Sequence, residues 1–337
     1  MNSVDMTGVL FKWELRVGVP RPAGPMTLVP LFGGLRAPDY ALGAELMAAG
    51  TLTIREVGQG SVPDLLASNL LSLPALLIDG EALEGARQDR VLNSSALLPA
   101  GKEIVLPVSC VEAGRWEYRG AGDFAISPQT AHAGLRMRSR AEVGTSLRAG
   151  LSPKTQQARV WRDVALAQGM AGVTSSPTRA MRDSYASRKD WLDRTLHQAA
   201  EPEAEQTGVV VSYGGHAAVL DVFERPQTLR ALWPRLLRGY AMDAVVSGLG
   251  PDVEDVPVDR IESFVRSVGR AKATAHPGIG LGENVVLTGR QIVGEALVWD
   301  EGVVHASAFT VPEGPDDGSS LRSSRAPIRR HRFGFRG

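Results

Sequence analysis

The sequence has only one cysteine, Cys110, among its 337 residues. A single thiol cannot form an intrachain disulfide, so the fold must be held by its core. No segment reaches the roughly 20 consecutive apolar residues that a membrane-spanning helix needs. The N-terminal residues MNSVDMTGVLFKWELRVG also lack the long apolar stretch of a signal peptide. We therefore expect a cytoplasmic protein without a membrane role.

An excess of one charge is missing as well, because 37 basic and 37 acidic side chains give a formal net charge of zero. Binding to a nucleic-acid backbone relies on a basic surface, so nucleic acid is not an expected partner. The six histidines show no HxH or HExxH spacing, which leaves carboxylates as the only candidate metal ligands. The sequence identifies neither a metal site nor a cofactor.

What is present is the composition of a globular protein, with 43% hydrophobic and 22% charged residues. Short β-type segments dominate residues 1–120, namely TLVPLF, LTIREV, ALLID, VLNSSALL and EIVLPVS, and Gly, Pro, Asn and Asp separate them. One helix is predicted over residues 38–50, ending at Gly50. This pattern predicts a β-sandwich-like N-terminal lobe with one helix.

The remainder of the chain alternates helical and β-type segments. Residues 120–155 lack periodicity and predict a long connection or flap, where we place the domain boundary. Amphipathic segments after residue 152 predict helices, and Gly214-Gly215 joins two strands as a hairpin. We expect an α+β lobe over residues 121–311, with helices covering an antiparallel sheet. Residues 312–337 carry six arginines after Ser320 and predict a disordered tail, or alternatively a weak contact for an anionic partner.

Cys110 is the first candidate for chemistry because it ends a predicted strand and lies close to Arg115. A reactive thiolate needs a nearby cation, which Arg115 could supply, but the sequence does not place any histidine beside it as a base. A lone cysteine is more often a small buried hydrophobic residue. Both interpretations stay open.

The segment GEALEGARQDR, residues 80–90, is the second candidate. Its polar positions fit neither strand nor helix periodicity, so we predict a strand, a bulge or bend at Gly85, and a loop. Such a bend could make Glu81, Glu84, Gln88 and Arg90 converge, with carboxylates as acid, base or metal ligands and Arg90 as an anion clamp. The predicted ligand-binding site consists of Glu81, Gln88, Arg90, Glu112 and Arg115. The alternative is a network of structural salt bridges.

His305 lies in the apolar strand GVVHASAF. Its alternation with apolar neighbours favours a half-buried, hydrogen-bonded imidazole over a metal or substrate ligand.

Residues 74–118 resemble the ARPP-1 family, the ARG and rhodanese-phosphatase-superfamily-associated proteins. The family pattern GE.L.GA.QNR.LN…PVSC.E.GRW is retained at most positions, and the retained residues are Gly80, Glu81, Gly85, Ala86, Gln88, Arg90, Asn93, Pro107, Ser109, Cys110, Glu112, Gly114, Arg115 and Trp116. The chain departs from it at Asp89, where the family has Asn. This exchange removes two hydrogen-bond donors and adds a charge. The resemblance extends over most of the chain and leaves out the arginine-rich tail.

The family name implies association with ADP-ribosylglycohydrolase-type and rhodanese-phosphatase proteins, and therefore an ADP-ribose or nucleotide context. It identifies no catalytic residues. Three hypotheses follow from the residues and the resemblance together. The chain is a ligand-binding or accessory protein, or a hydrolase or transferase that uses Cys110 or the Glu81/Glu112 carboxylates, or a structural protein that forms an oligomer.

Overall fold

A computed structural model describes residues 15–33, 38–58, 60–250 and 256–312. Within these ranges the chain forms seven helices and 19 strands. The fold class is α+β, as predicted. The arginine-rich tail lies outside the described residues, apart from residue 312. No helix in the described part of the chain is long and apolar enough to cross a membrane.

The largest element is an antiparallel sheet of nine strands. In spatial order its strands are β1 (Arg16–Val17), β3 (Met26–Phe32), β13 (Gln206–Tyr213), β14 (His216–Phe223), β19 (Gly302–Thr310), β18 (Ile292–Trp299), β17 (Glu283–Gly289) and β15 (Lys272–Pro277), with β2 (Arg21–Ala23) beside β3. The predicted hairpin at Gly214-Gly215 is confirmed, since it joins β13 to β14 and both glycines have positive φ, +55° and +73°.

Six further strands close into a barrel. In order around it they are β11 (Lys102–Cys110), β6 (Asp64–Asn69), β5 (Leu52–Glu56), β12 (Arg119–Thr130), β8 (Glu81–Ala86) and β9 (Arg90–Leu92). A small sheet lies beside the barrel and consists of β16 (Ile279–Gly280), β10 (Ala96–Leu98), β7 (Ala75–Leu77) and β4 (Ala41–Leu42). Barrel and small sheet share one hydrophobic core, in which Leu65, Leu77 and Leu98 are fully buried.

The helices are α1 (Gly43–Ala48), α2 (Ala133–Arg148), α3 (Gln157–Ala171), α4 (Met181–Ser187), α5 (Lys189–Gln198), α6 (Pro226–Val246) and α7 (Val258–Gly269). Helix α1 packs on the small sheet and the barrel, with Leu46 in their core, whereas the other six bury residues in the two core clusters on the faces of the large sheet. Successive side chains of β13 point to opposite faces of the large sheet, and each face has its own core cluster. Val209 and Val211 belong to one cluster, while Val210 belongs to the other. The first cluster includes residues of α6, and the second includes the buried face of α7.

Two predictions about local structure were wrong. The predicted flap at residues 120–155 is instead most of β12 followed by α2. Helix α2 buries Arg136, Arg138 and Arg140 as well as apolar residues such as Leu135 and Leu147, so its sequence shows no clear helical hydrophobic period. The helix predicted over residues 38–50 is also shorter, because Ala41 and Leu42 pair with β7 as a strand before α1 begins.

The division into lobes at residue 120 stays a prediction, and strand pairing shows what crosses it. Strand β3, from the predicted first lobe, pairs with β13 in the large sheet. Strand β16, from the predicted second lobe, pairs with β10 in the small sheet. The two segments of the chain are therefore interlocked by backbone hydrogen bonds in both directions.

Candidate functional site

Two backbone segments meet at one end of the barrel and carry most of the predicted site residues. Strand β8 bends at its end, where Gly85 has φ +133° and Ala86 has φ +40°. The loop that follows turns back, and the Gly85 N–H donates to Asp89 Oδ1 at 3.2 Å. The predicted bend at Gly85 is confirmed, and it directs Asp89 towards the segment after β11.

The segment after β11 is fixed by the chain that leads into α4. Glu112 and Ala180 form an isolated antiparallel bridge, and the N–H of Gly114 donates to the carbonyl of Thr178 at 2.8 Å. This pairing brings Arg182, on the first turn of α4, over the barrel end. Arg182 was not among the predicted site residues.

Asp89, Glu112, Arg115 and Arg182 form an arginine–carboxylate cluster. Arg115 binds Glu112 through two nitrogens, with Nη2 2.6 Å from Oε2 and Nε 3.0 Å from Oε1. Its Nη2 also lies 3.5 Å from Asp89 Oδ1. Arg182 contacts the same two carboxylates from the other segment, with Nη1 2.7 Å from Asp89 Oδ2 and Nη2 3.4 Å from Glu112 Oε1. Each arginine therefore bridges both carboxylates.

The cluster is closed to solvent except through its arginines. The side chains of Asp89 and Glu112 are 3% and 0% exposed, whereas those of Arg115 and Arg182 are 10% and 20% exposed. A ligand that approaches from solvent would therefore meet Arg182 first.

The environment separates the pKa values of the two carboxyl groups. Burial raises the pKa of Asp89 to about 6, and the negative charge of Glu112 adds to this shift. Burial alone would also raise the pKa of Glu112, but hydrogen bonds from Arg115, Thr178 and the Asp89 N–H lower it to about 2. At neutral pH Glu112 is ionised, while Asp89 titrates only about one pH unit below neutrality. Such a separation suits an acid and a base.

Cys110, Gln88 and Arg90 lie directly beneath this cluster. The Cys110 Sγ is buried and lies 3.2 Å from both Gln88 Oε1 and the Glu112 carbonyl oxygen. Burial raises the pKa of the Cys110 thiol, and none of the hydrogen bonds in the described residues joins it to a histidine. Arg90 Nη1 donates to the Gln88 carbonyl at 3.0 Å. The thiol thus has the environment of a buried donor rather than of a reactive thiolate.

Glu81 is the one predicted site residue that the structure separates from the others. It lies four residues before Gly85 on β8, which is about 13 Å along a strand, and it pairs with Arg235 of α6 at 2.6 Å. Glu84 is closer to the cluster, since its Oε2 lies 4.0 Å from Arg182 Nη1 and its side chain is 30% exposed. Glu84 also accepts a hydrogen bond from Ser127 Oγ.

A second group of charges, the ionic core, was missed from the sequence. It consists of Asp79, Asp221, Glu295, Arg136 and Arg140, all at most 3% exposed. Arg136 donates two hydrogen bonds to Asp221, at 2.9 and 2.7 Å, and two to Asp79, at 3.2 and 3.4 Å. Arg140 pairs with Glu295 and lies 3.3 Å from Asp79.

Strand register explains how the ionic core assembles. Asp221 on β14 pairs with Ser307 on β19, and Ser307 pairs with Glu295 on β18, so the three residues form a row across the sheet. Each is a polar residue between two non-polar neighbours in its strand. That interruption is a sequence signal, but only the register shows that the interruptions align.

His305 joins the ionic core to the small sheet. Its Nδ1 lies 2.8 Å from Ser95 Oγ and its Nε2 3.1 Å from Asp221 Oδ1, and its ring stacks on Phe223. Although serine, histidine and aspartate are linked as in a catalytic triad, each is at most 2% exposed, and Ser95 Oγ accepts the Asp79 N–H at 3.1 Å. The imidazole is hydrogen-bonded, as predicted, but fully rather than half buried.

Comparison with known families decides what the chain is. A family model described as ARG and Rhodanese-Phosphatase-superfamily-associated Protein domain, ARPP-1, matches residues 14–309. The chain belongs to the ARPP-1 family. The resemblance of residues 74–118 is thereby confirmed over most of the chain. Searches of curated proteins and of solved structures found no match.

The chemistry available at the cluster of this ARPP-1 domain is hydrogen bonding, ion pairing and proton transfer. Carboxylates accept hydrogen bonds from hydroxyl groups, and guanidinium groups bind phosphate or carboxylate in a bidentate manner. In the described ranges no group of three or more His, Cys, Asp or Glu side chains is arranged to hold a metal ion.

Proposed function

We propose that this ARPP-1 domain is an accessory protein that binds a nucleotide-type ligand, such as ADP-ribose, at the arginine–carboxylate cluster. The observation that carries the proposal is the position of Arg182. It reaches from α4 to both carboxylates, yet a fifth of its side chain is exposed. It is thus the group of the cluster that a ligand can engage without unfolding the barrel end.

The cluster suits a ligand with both phosphate and hydroxyl groups. Its two arginines and two carboxylates cancel in charge, so attraction of an anion by net charge is weak. A phosphate would instead replace a carboxylate on Arg182, and the exposed carboxylate of Glu84 would accept a ribose hydroxyl. Protonation of Asp89, with a pKa of about 6, leaves the cluster positive, so we expect ADP-ribose, whose diphosphate keeps its charge over this range, to bind more tightly at pH 5.5 than at pH 8.

The family supports the accessory part of the proposal. Its name describes association with ARG and rhodanese-phosphatase superfamily proteins, and ADP-ribosylglycohydrolases act on ADP-ribose derivatives. A protein that holds such a ligand would hand it to an enzyme or keep it from one.

The test is ligand-dependent stabilisation. ADP-ribose, NAD and AMP are added separately to the full chain, and a ligand at 100 times its Kd should stabilise the fold by about 2.7 kcal/mol. Arg182→Ala should abolish the shift. Arg238→Ala is a matched control, because Arg238 is 25% exposed and pairs with Asp193 at 2.8 Å, much as Arg182 pairs with Asp89. If no ligand moves the melting temperature of the wild-type protein, the proposal is wrong.

A second candidate function is hydrolysis or group transfer, and the separated pKa values of Asp89 and Glu112 favour it. Asp89 would act as the acid and Glu112 as the base. Of the predicted catalytic residues, this function uses Glu112, has Asp89 in place of Glu81, and does not use Cys110. An assay in which chromatography monitors the conversion of ADP-ribose or NAD tests this enzymatic function. Glu112→Gln should stop product formation, and a wild-type protein that releases no product over hours would contradict the enzymatic function.

A further inference from the structure

An exposed aromatic surface lies beside the cluster. Trp116 and Tyr118 are 43% and 51% exposed, more than any other aromatic residue in the described part of the chain. The Arg87 guanidinium carbon lies 5.5 Å from the centre of the Trp116 ring and 4.6 Å from that of Tyr118. Arg87, Trp116 and Tyr118 are called the aromatic platform below.

The aromatic platform is anchored by the same backbone segments as the cluster. Arg115 Nη1 donates to the carbonyl of Ala86, at 2.5 Å, and to that of Glu117, at 2.7 Å. Ala86 precedes Arg87, and Glu117 separates the two rings. Arg115 therefore ties the platform to Asp89 and Glu112 through one side chain.

Contacts of Arg87 hold the platform in place. Its N–H donates to Glu56 Oε1 at 3.4 Å and its Nη1 to the Trp116 carbonyl at 3.5 Å. Cation–π contacts with both rings orient them at the surface, and the remaining ring surface stays in water. Burying that surface against another planar group would be favourable.

We propose that the aromatic platform is a stacking site for the planar base of the nucleotide ligand. This rests on the proposed function and deepens it, because it specifies a ligand with an aromatic base rather than a bare sugar phosphate. Rings of Trp and Tyr stack on any nucleobase without reading its edge, and an arginine beside them adds a cation–π contact. The base would lie on the platform while the sugar phosphate faces Arg182.

The experiment compares two ligands that differ in the base. Calorimetric titration of the full chain with AMP and with ribose 5-phosphate is repeated for Trp116→Ala, Trp116→Phe and Tyr118→Ala. Loss of a base–aromatic stacking contact should weaken AMP binding roughly tenfold or more in Trp116→Ala. Ribose 5-phosphate should bind wild-type and Trp116→Ala protein equally, and Trp116→Phe should retain most AMP affinity.

The controls separate stacking from structural damage. Met170→Ala removes a side chain of similar exposure, 40%, on α3, and should leave AMP binding unchanged. Equal AMP affinity in wild-type, Trp116→Ala and Tyr118→Ala protein overturns the stacking site but leaves the proposed function standing. If Trp116→Ala weakens the binding of AMP and of ribose 5-phosphate equally, the stacking site is also overturned. If neither ligand nor any other nucleotide binds the wild-type protein, the proposed function fails, and the stacking site fails with it.

Discussion

The backbone N–H of Asp89 donates to Glu112 Oε2 at 3.0 Å, so the residue that bears one carboxylate helps to ionise the other. The same hydrogen bond holds the two acidic groups close together, and the charge of Glu112 raises the pKa of Asp89. One carboxylate is thus stabilised as an anion at the expense of its neighbour. This asymmetry makes Asp89 the group to test first.

Asp89→Asn should stabilise the protein at pH 8 and leave it unchanged at pH 4. The pKa of Asp89 in the folded protein is raised from 3.8 to about 6. Its contribution to stability is therefore complete below about pH 3.8 and is lost as pH rises through about 6. This change in pKa corresponds to about 3 kcal/mol, which is the largest increase in the free energy of unfolding that we expect for the variant. Urea unfolding of both proteins between pH 4 and pH 8 measures it.

The other titrating groups are common to both proteins, so the difference between wild-type and Asp89→Asn protein isolates this carboxyl. Asp300→Asn, at an exposed turn, serves as a control for the same exchange at the surface and should change the free energy of unfolding by less than about 0.5 kcal/mol. A variant less stable than the wild type at pH 8 would mean that the ion pair with Arg182 outweighs burial and repulsion.

Arg136→Leu should destabilise the fold by about 3–5 kcal/mol, because it leaves Asp79 and Asp221 buried without their shared cation. Adding Asp221→Asn should recover part of the loss, since one uncompensated charge is removed. Chemical unfolding of both single variants and the double variant measures this coupling. Arg266→Leu breaks an exposed pair with Glu262 and should change stability by less than about 1 kcal/mol; a similar effect for Arg136→Leu would contradict the role of the ionic core.

The parts of the fold that could be predicted are those where the core is apolar. Alternation and turn residues predicted the β13–β14 hairpin and the barrel strands β5, β8 and β11, but not β6 or β12. The α2 helix could not be found in this way, because, besides leucines, its buried positions include Arg136 and Arg140. Their partners on β14 and β18 come 85 and 155 positions later, and spacing within one segment carries no trace of them.

The part of the candidate site that could be predicted comes from two segments that lie close together in the sequence. Gln88, Arg90, Cys110, Glu112 and Arg115 meet because β9 and β11 pair, with Cys110 opposite Arg90. Glu81 was misplaced in that group because a strand carries its two ends far apart. Arg182 was missed since only the bridge between Glu112 and Ala180 brings α4 to the barrel.

Gly85→Ala should destabilise the barrel by about 3 kcal/mol or more. Gly85 has φ +133°, and a Cβ built there would lie 2.6 Å from the carbonyl oxygen of Asp123, so β8 or β12 must move. Gly150→Ala is the control, because Gly150 also has positive φ, +74°, but has no atom within 4 Å of the added carbon. It should cost only about 1–2 kcal/mol. Thermal and urea unfolding measure the stability loss of both variants. Equal losses would show that the positive φ of the glycine, and not the close contact of the added carbon, causes the destabilisation.

The Cys110 thiol should be inert in the folded protein. Burial raises its pKa, and its Sγ is held between Gln88 and the Glu112 carbonyl, so a disulfide reagent at pH 8 should label it only as the chain unfolds. The labelling rate should therefore rise with urea in parallel with unfolding, and 6 M guanidinium chloride should give complete reaction as a control. Labelling of the native protein at the rate of a free thiol would restore Cys110 as a candidate nucleophile. Labelling that follows unfolding would leave proton transfer by Asp89 and Glu112 as the chemistry to pursue at this end of the barrel.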